Sequence, residues 1–128
     1  MADVQFSPAL LEFLAERHLA TLVTQRADGS PHAVPVGFTV NGTRVRVITF
    51  APSVKARNAA RGGRASVTQI DGARWVTLEG AVRLLTDEVS VAEGVAAYAQ
   101  RYRPPKQRTD RVVVEIDVDR VMCNGGLK

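Results

Sequence analysis

The residues best suited to chemistry lie close together, in the segment that opens a short predicted helix after Pro52. Ser53, Lys55 and Arg57 fall within about one helical turn. A hydroxyl, two cations and free backbone N–H groups at a helix start are the donors that bind phosphate. Ser53 also suits a simple helix cap, with both cations facing water. From the residues alone, both interpretations of this segment stay open.

The charge distribution adds weight to an anionic ligand. No acid occurs from Gly29 to Ile70, a stretch of 42 residues with a local charge of +6, whereas the whole chain carries +4. An excess of this kind indicates a nucleic acid, a phosphorylated cofactor or an acidic small molecule as partner. Arginines on solvated strand faces that only confer solubility are the alternative. The cations of the stretch are Arg44, Arg46, Lys55, Arg57, Arg61 and Arg64.

Other reactive residues are sparse. The two histidines, His18 and His32, and the lone Cys123 do not have the spacing of zinc ligands, and one cysteine cannot form an internal disulfide. No nucleophile motif, metalloprotease motif or paired carboxylates occur, so a hydrolase has little support and no metal site is expected. Trp75 suits either the core or stacking on a ring-shaped ligand.

Hydrophobic periodicity and turn residues predict the elements that must position these groups. Ser7 is expected to cap the first helix, and Asp28 with Gly29 is expected to form a hairpin turn. Gly80 is expected to mark a kink or bulge in a long strand. The predicted helices span residues 7–18, 54–61 and 86–102, and the predicted strands span residues 19–26, 33–40, 43–50, 65–70, 75–85 and 111–122.

This order, α-β-β-β-α-β-β-α-β, predicts a mainly β fold: a six-stranded antiparallel barrel with short helices, formed by one domain over residues 1–128. Closure is favoured because it removes exposed strand edges. Hydrophobic residues make up 45% of the chain, charged residues 23%, and the mean hydropathy is -0.05, which excludes disorder and a membrane protein. Without a signal-like or membrane-spanning segment, a cytoplasmic location is expected.

Several runs together resemble a known family. They are RADGSPH (26–32), VGFT (36–39), SVKARNAAR (53–61), QIDGARW (69–75), LEG (78–80) and YAQRYR (98–103). In this order the chain resembles the split-barrel flavin and deazaflavin oxidoreductases of the pyridoxamine-phosphate-oxidase-like superfamily. Within that superfamily it is most similar to the actinobacterial biliverdin reductases that use coenzyme F420.

The resemblance implies a homodimer with a cofactor in each groove between the subunits. It assigns the cofactor phosphate to Lys55 and Asn58, with Ser53 and Arg57 adjacent. The residues that it assigns to the deazaflavin ring are His32, Pro35, Val36, Ile48, Thr49 and Phe50, with Gln69 and Trp75 contributed by the partner subunit. Substrate propionates, or the γ-glutamyl tail of the cofactor, are assigned to the basic stretch 101–111, with Arg101 and Arg103 as the substrate residues.

The implied activity is hydride transfer from reduced coenzyme F420 to a conjugated acceptor, with biliverdin reduced to bilirubin. The cofactor carries the hydride chemistry, so no catalytic triad is needed, and the sequence identifies no proton donor. An FMN-dependent oxidase or reductase of the same fold is the alternative, and a non-enzymatic carrier of deazaflavin or tetrapyrrole is another. Nucleic-acid binding ranks third because the basic strands lack interleaved aromatic residues; neither nucleic acid nor membrane is an expected partner.

Overall fold

The computed structural model describes residues 4–128, which form an antiparallel sheet of seven strands with three α-helices. The helices are α1 (Pro8–Ala15), α2 (Val54–Ala60) and α3 (Glu88–Arg101), and a 3-10 turn covers Gly125–Leu127. The strands are β1 (Ala20–Gln25), β2 (Pro31–Val36), β3 (Thr39–Asn41), β4 (Arg44–Phe50), β5 (Arg64–Asp71), β6 (Arg74–Leu85) and β7 (Arg111–Cys123).

The strands are ordered β2-β1-β5-β6-β7-β4-β3, and each neighbouring pair is antiparallel. The predicted mainly β class with short helices is therefore confirmed. The strand count and the closed barrel are wrong, because the predicted strand over 33–40 divides at Gly37 and Phe38. Its first half pairs with β1 and its second half with β4, so β2 and β3 become the two edges of an open sheet.

Aromatic rings of α3 explain the break at Gly37. A Cβ atom on Gly37 would lie 3.0 Å from ring carbons of both Tyr98 and Tyr102. The Tyr102 hydroxyl also accepts a hydrogen bond from the Phe38 backbone N–H at 3.1 Å and donates one to the His18 carbonyl at 2.6 Å. The end of α3 thus holds the point at which the chain crosses from one side of the sheet to the other.

The predicted irregularity at Gly80 is confirmed. The pairing of β6 with β7 shifts register between Glu79 and Gly80. A Cβ atom at Gly80 would lie 1.9 Å from the Asp117 carbonyl oxygen, a separation that leaves no room for a side chain. The bulge lets the two longest strands of the sheet stay paired through a bend.

Alternating side chains of the strands form the core, and α1 covers one side of it. Leu22, Val67 and Leu78 are among its fully buried members. Ser7 caps α1 as predicted, accepting a hydrogen bond from Leu10 N at 3.0 Å, and the helix ends at Ala15, before His18. Even the longest described helix, α3 with 14 residues, is too short to cross a bilayer, and the others are shorter.

Candidate functional site

Ser53 forms the corner between β4 and α2. Its hydroxyl oxygen accepts hydrogen bonds from the Ala56 backbone N–H at 3.2 Å and from the Thr49 hydroxyl at 3.0 Å, and the residue is 8% exposed. The capping interpretation of Ser53 is therefore confirmed. The Ser53 hydroxyl already accepts a hydrogen bond from one of the free N–H groups at the start of this seven-residue helix. A ligand here must therefore depend chiefly on side-chain cations.

Those cations are Lys55, Arg57 and Arg61. Lys55 is half-buried, and burial lowers the pKa of its ammonium below the usual lysine value. Arg57 and Arg61 are exposed. Within residues 4–128, none of the three forms an ion pair with a carboxylate. This helix and its C-cap residue Arg61 therefore present three cations whose charge residues 4–128 leave uncompensated.

Asn58 holds one of these cations in place. The residue is 4% exposed, its Nδ2 donates to Thr24 Oγ1 at 3.0 Å, and its Oδ1 accepts a hydrogen bond from the Arg61 guanidinium. Arg61 also donates to the Gln25 carbonyl oxygen at 3.0 Å. The Asn58 amide thus joins α2 to β1 and positions Arg61, a residue that the sequence analysis did not place in the site. The spacing of four residues between Arg57 and Arg61, which puts both on one face of a helix, is the sequence feature that could have identified Arg61.

The strand arginines of the acid-free stretch have a different environment. Acids on β7 and α3 neutralise them, so the expectation of positive potential across the whole stretch is wrong. Glu115 is fully buried; burial alone would raise the pKa of its carboxyl, but hydrogen bonds from Arg46 and Arg83 hold that pKa below its ordinary value. The pairs are Arg44 with Asp117 at 4.0 Å, Arg46 with Glu115 at 2.9 Å and Glu93 at 3.1 Å, and Arg64 with Asp119 at 2.6 Å.

The β4 residues assigned to the cofactor ring do not share one surface. Thr49 is 3% exposed and faces Ser53, whereas Ile48 points to the opposite side of the sheet and lies under α3. A Cβ atom on Gly94 of α3 would be 3.2 Å from the Ile48 side chain. Phe50 lies at the corner before α2, beneath the Arg108 guanidinium at 4.3 Å. By strand alternation Phe50 shares the face of Ile48, whereas Thr49 points toward the corner that leads into α2.

On β2, the assigned residues divide between the two faces in the same way. Pro35 is exposed on one face, and Val36 is buried in the core on the other. His32 pairs with Thr24 of β1, the residue that accepts from Asn58. The Nδ1 atom of His32 is buried and has no hydrogen-bond partner within the described chain. A buried polar atom without a partner beside the α2 contact is a position where a ligand atom would be stabilising.

Gln69 and Trp75 also lie on opposite faces. Gln69 is fully buried; its Nε2 donates to the Phe13 carbonyl at 3.0 Å, and its Oε1 accepts from Arg101 at 2.5 Å. The side chain of Gln69 is therefore fixed beneath α1 in this chain, and its assignment to the partner's cofactor stays a prediction. Trp75 is 38% exposed and pairs across the sheet with Ile70, which is 65% exposed. These two side chains point outward.

Arg101 belongs to the internal framework. Its guanidinium donates to the Glu16 carbonyl at 2.9 and 2.8 Å, to the Phe38 carbonyl and to Gln69, and it stacks on the Phe38 ring at 4.6 Å. These acceptors occupy donors of Arg101 within this chain, and the assignment of Arg101 to substrate stays a prediction. Arg103, two residues later, is exposed and forms no ion pair within the described residues.

A cluster with metal-ligand residue types lies elsewhere on the surface. Ligand atoms of Glu16, His18 and Asp71 lie within 4.8 Å of one another. The Arg74 guanidinium contacts both carboxylates, at 2.7 Å and 2.5 Å. Hydrogen bonds from Arg74 and then His18 lower the pKa of Glu16 to about 2. The cluster is an ion-pair network with its own cation already in place.

Comparisons with known proteins agree with this framework. A family model for pyridoxamine 5'-phosphate oxidase matches residues 6–123. The F420H(2)-dependent biliverdin reductase of Mycobacterium tuberculosis is 47% identical over 125 residues, which are 96% of this chain and 91% of the relative.

Solved structures are similar over most of the chain as well. A conserved hypothetical protein of Mycobacterium tuberculosis has a TM-score of 0.79 at 26% identity, with 96% of this chain and 87% of that chain covered. A structure named F420 reductase has a TM-score of 0.72 at 22% identity, with 87% and 94% covered, a likeness that speaks to the fold. From its fold, its family match and its 47% identical relative, the chain belongs to the pyridoxamine 5'-phosphate oxidase-like family.

Proposed function

We propose that this protein is a coenzyme F420-dependent oxidoreductase that reduces biliverdin to bilirubin. The observation that carries the proposal is a group of three cations on α2 and its C-cap that have no carboxylate partner within residues 4–128. They belong to a chain 47% identical to a biliverdin reductase that depends on F420H(2). The cofactor is an anion, and an anion is the ligand that would neutralise these cations. The whole of residues 1–128 acts as one cofactor-binding domain.

The residues present fit the phosphate of such a cofactor. Lys55, Arg57 and Arg61 would bind the phosphate, with Asn58 holding Arg61 in position. The buried Nδ1 of His32 supplies a polar contact at the edge of the same region. When bound in its reduced form, the deazaflavin supplies the hydride, so the protein's contribution is binding, orientation and exclusion of water.

A homodimer through the outer face of the sheet completes the site in this proposal. Ile70, Trp75 and Met122 are 65%, 38% and 41% exposed. Ile70 is the cross-strand partner of Trp75, and Met122 is the partner of Thr77, two residues further along the same strand, so all three share one face of β5, β6 and β7. Large apolar side chains that share one exposed face favour burial against a second copy.

An FMN enzyme of the same fold is the second candidate, because the α2 cations suit the phosphate of FMN equally well. Absorption titration of the purified protein with F420 and with FMN, followed by a biliverdin turnover assay, separates these functions. We expect F420 to bind more tightly and reduced F420 to be consumed with loss of the long-wavelength biliverdin band. Tighter FMN binding would support the flavin enzyme, and tight F420 binding without turnover would support a carrier.

A further inference from the structure

A second basic region lies beside the proposed cofactor site, in a groove of about 540 Å³ between α3 and the segment that joins α3 to β7. Val91 and Val95 of α3 form one wall, and Pro105, Lys106 and Arg108 form the other. Arg111, the first residue of β7, also lines it. The groove therefore combines an apolar wall with three cations.

Two of these cations have no acidic partner among the described residues. Residues 103–111 contain four cations and a single acid, Asp110. Asp110 pairs with Arg108, at 2.8 and 3.0 Å. Lys106 and Arg111 take part in none of the ion pairs found within residues 4–128, and Arg111 donates to the Lys106 carbonyl oxygen, which holds its guanidinium at the groove. This arrangement leaves two positive charges available to an anionic ligand.

The groove adjoins the corner that leads into α2. Arg108 stacks on Phe50 at 4.3 Å, and the Ala51 backbone N–H donates to the Asp110 carbonyl at 2.8 Å. The Ser53 N–H in turn donates to the Phe50 carbonyl at 3.0 Å, directly before the helix that carries Lys55. A ligand in this groove would therefore lie next to a cofactor bound at α2.

We propose that this groove binds the carboxylate side arms of a flat, conjugated acceptor, with Lys106 and Arg111 pairing with the carboxylates. The inference rests on the proposed function and adds the residues that select the substrate: Lys106 and Arg111 favour acceptors with carboxylate arms over neutral ones such as quinones. Val91 and Val95 on one wall and Pro105 on the other pack against the methylene groups of the arms. Such contacts exist before and during hydride transfer, so they lower KM and leave kcat unchanged.

The test compares biliverdin with its dimethyl ester, which keeps the conjugated body and loses both charges. For Lys106→Ala and Arg111→Gln we expect the KM for biliverdin to rise about five- to tenfold with kcat unchanged, as for loss of a charge-assisted contact. On the dimethyl ester, the variants and the unaltered protein should have the same KM. Arg120→Ala removes an exposed guanidinium that pairs with Glu79 at 3.3 Å, and it serves as the control with unchanged KM.

Two other results would overturn the inference. If the variants weaken binding of F420 itself, measured by fluorescence titration, and the loss disappears with a cofactor that lacks the γ-glutamyl tail, the groove holds the cofactor tail. If the variants and the unaltered protein have equal KM values for biliverdin, the groove does not bind the substrate. Equilibrium titration of biliverdin into the F420-loaded protein, read by absorbance, tests the inference without turnover. Weaker binding of biliverdin by both variants supports the inference, and unchanged binding contradicts it.

Discussion

The cations of α2 and the guanidinium of Arg101 carry the same charge in opposite surroundings. Backbone carbonyls and Gln69 accept hydrogen bonds from Arg101 inside the fold. Lys55 and Arg57 have neither a carboxylate partner nor a side-chain hydrogen bond within the described part of the chain. A basic residue near a ligand groove is thus available to a ligand only when some of its donors have no acceptor within the fold.

Neighbouring residues of β5 repeat this contrast. Gln69 points inward and its amide is fully used, whereas Ile70 points outward and is 65% exposed. A shift of one position along a strand moves a side chain to the other face of the sheet. The inward face of this strand supports α1, and the outward face is available to a second subunit.

The largest expected effect follows from removing the internal guanidinium. Arg101→Ala leaves the Glu16 and Phe38 carbonyls and the Gln69 amide without their donor, so we expect the free energy of unfolding to fall by about 3–5 kcal/mol. Urea denaturation followed by circular dichroism measures it. Arg103→Ala, two residues away on the exposed surface, is the matched control with unchanged stability. If the Arg101→Ala protein is as stable as the original but has a raised KM for substrate, the result would contradict the structural role and support the assignment of Arg101 to substrate.

The second largest effect is expected from a substitution on the outward face of β5. Ile70→Glu places a charge on the surface proposed to be buried between subunits, so we expect self-association to weaken by on the order of a hundredfold. Analytical ultracentrifugation across a concentration series measures the dissociation constant. Val89→Glu is the matched control, because Val89 is 68% exposed and lies on α3, outside the three strands of the proposed interface. Equal association of both variants, or a monomeric unaltered protein that binds cofactor, would contradict the proposed interface.

Local signals in the sequence were sufficient for most of the framework. The Ser7 and Ser53 caps, the turn after Asp28 and the irregularity at Gly80 each depend on residues close together in the chain, and the structure confirms them. The break at Gly37 depends on rings more than 60 residues away, which no local pattern reports. The alternating pattern of each strand predicted two faces, but it did not predict whether each assigned residue would lie on the inward or the outward face.

The site residues divide in the same way. Arg101 and Gln69 are within the fold because their partners, Glu16, Phe38 and Phe13, come from distant segments that meet only after folding. The charge of the acid-free stretch was read correctly from the sequence, but the acids that neutralise its strand arginines lie on β7 and α3. Resemblance supplied the position of Lys55, and the structure adds that its charge has no partner in the described chain.

The affinity of Lys55→Ala for F420 tests the central claim most directly. We expect the variant to bind the cofactor about 1.5–3 kcal/mol more weakly, with a smaller loss for Arg57→Ala. Because burial lowers the pKa of Lys55, affinity of the unaltered protein should fall toward that of the variant as the pH rises through that pKa, and Lys55→Arg should remove this fall. Fluorescence titration at several pH values measures both effects. A folded Lys55→Ala protein that binds F420 as tightly as the original at every pH would contradict the assignment of the phosphate to α2.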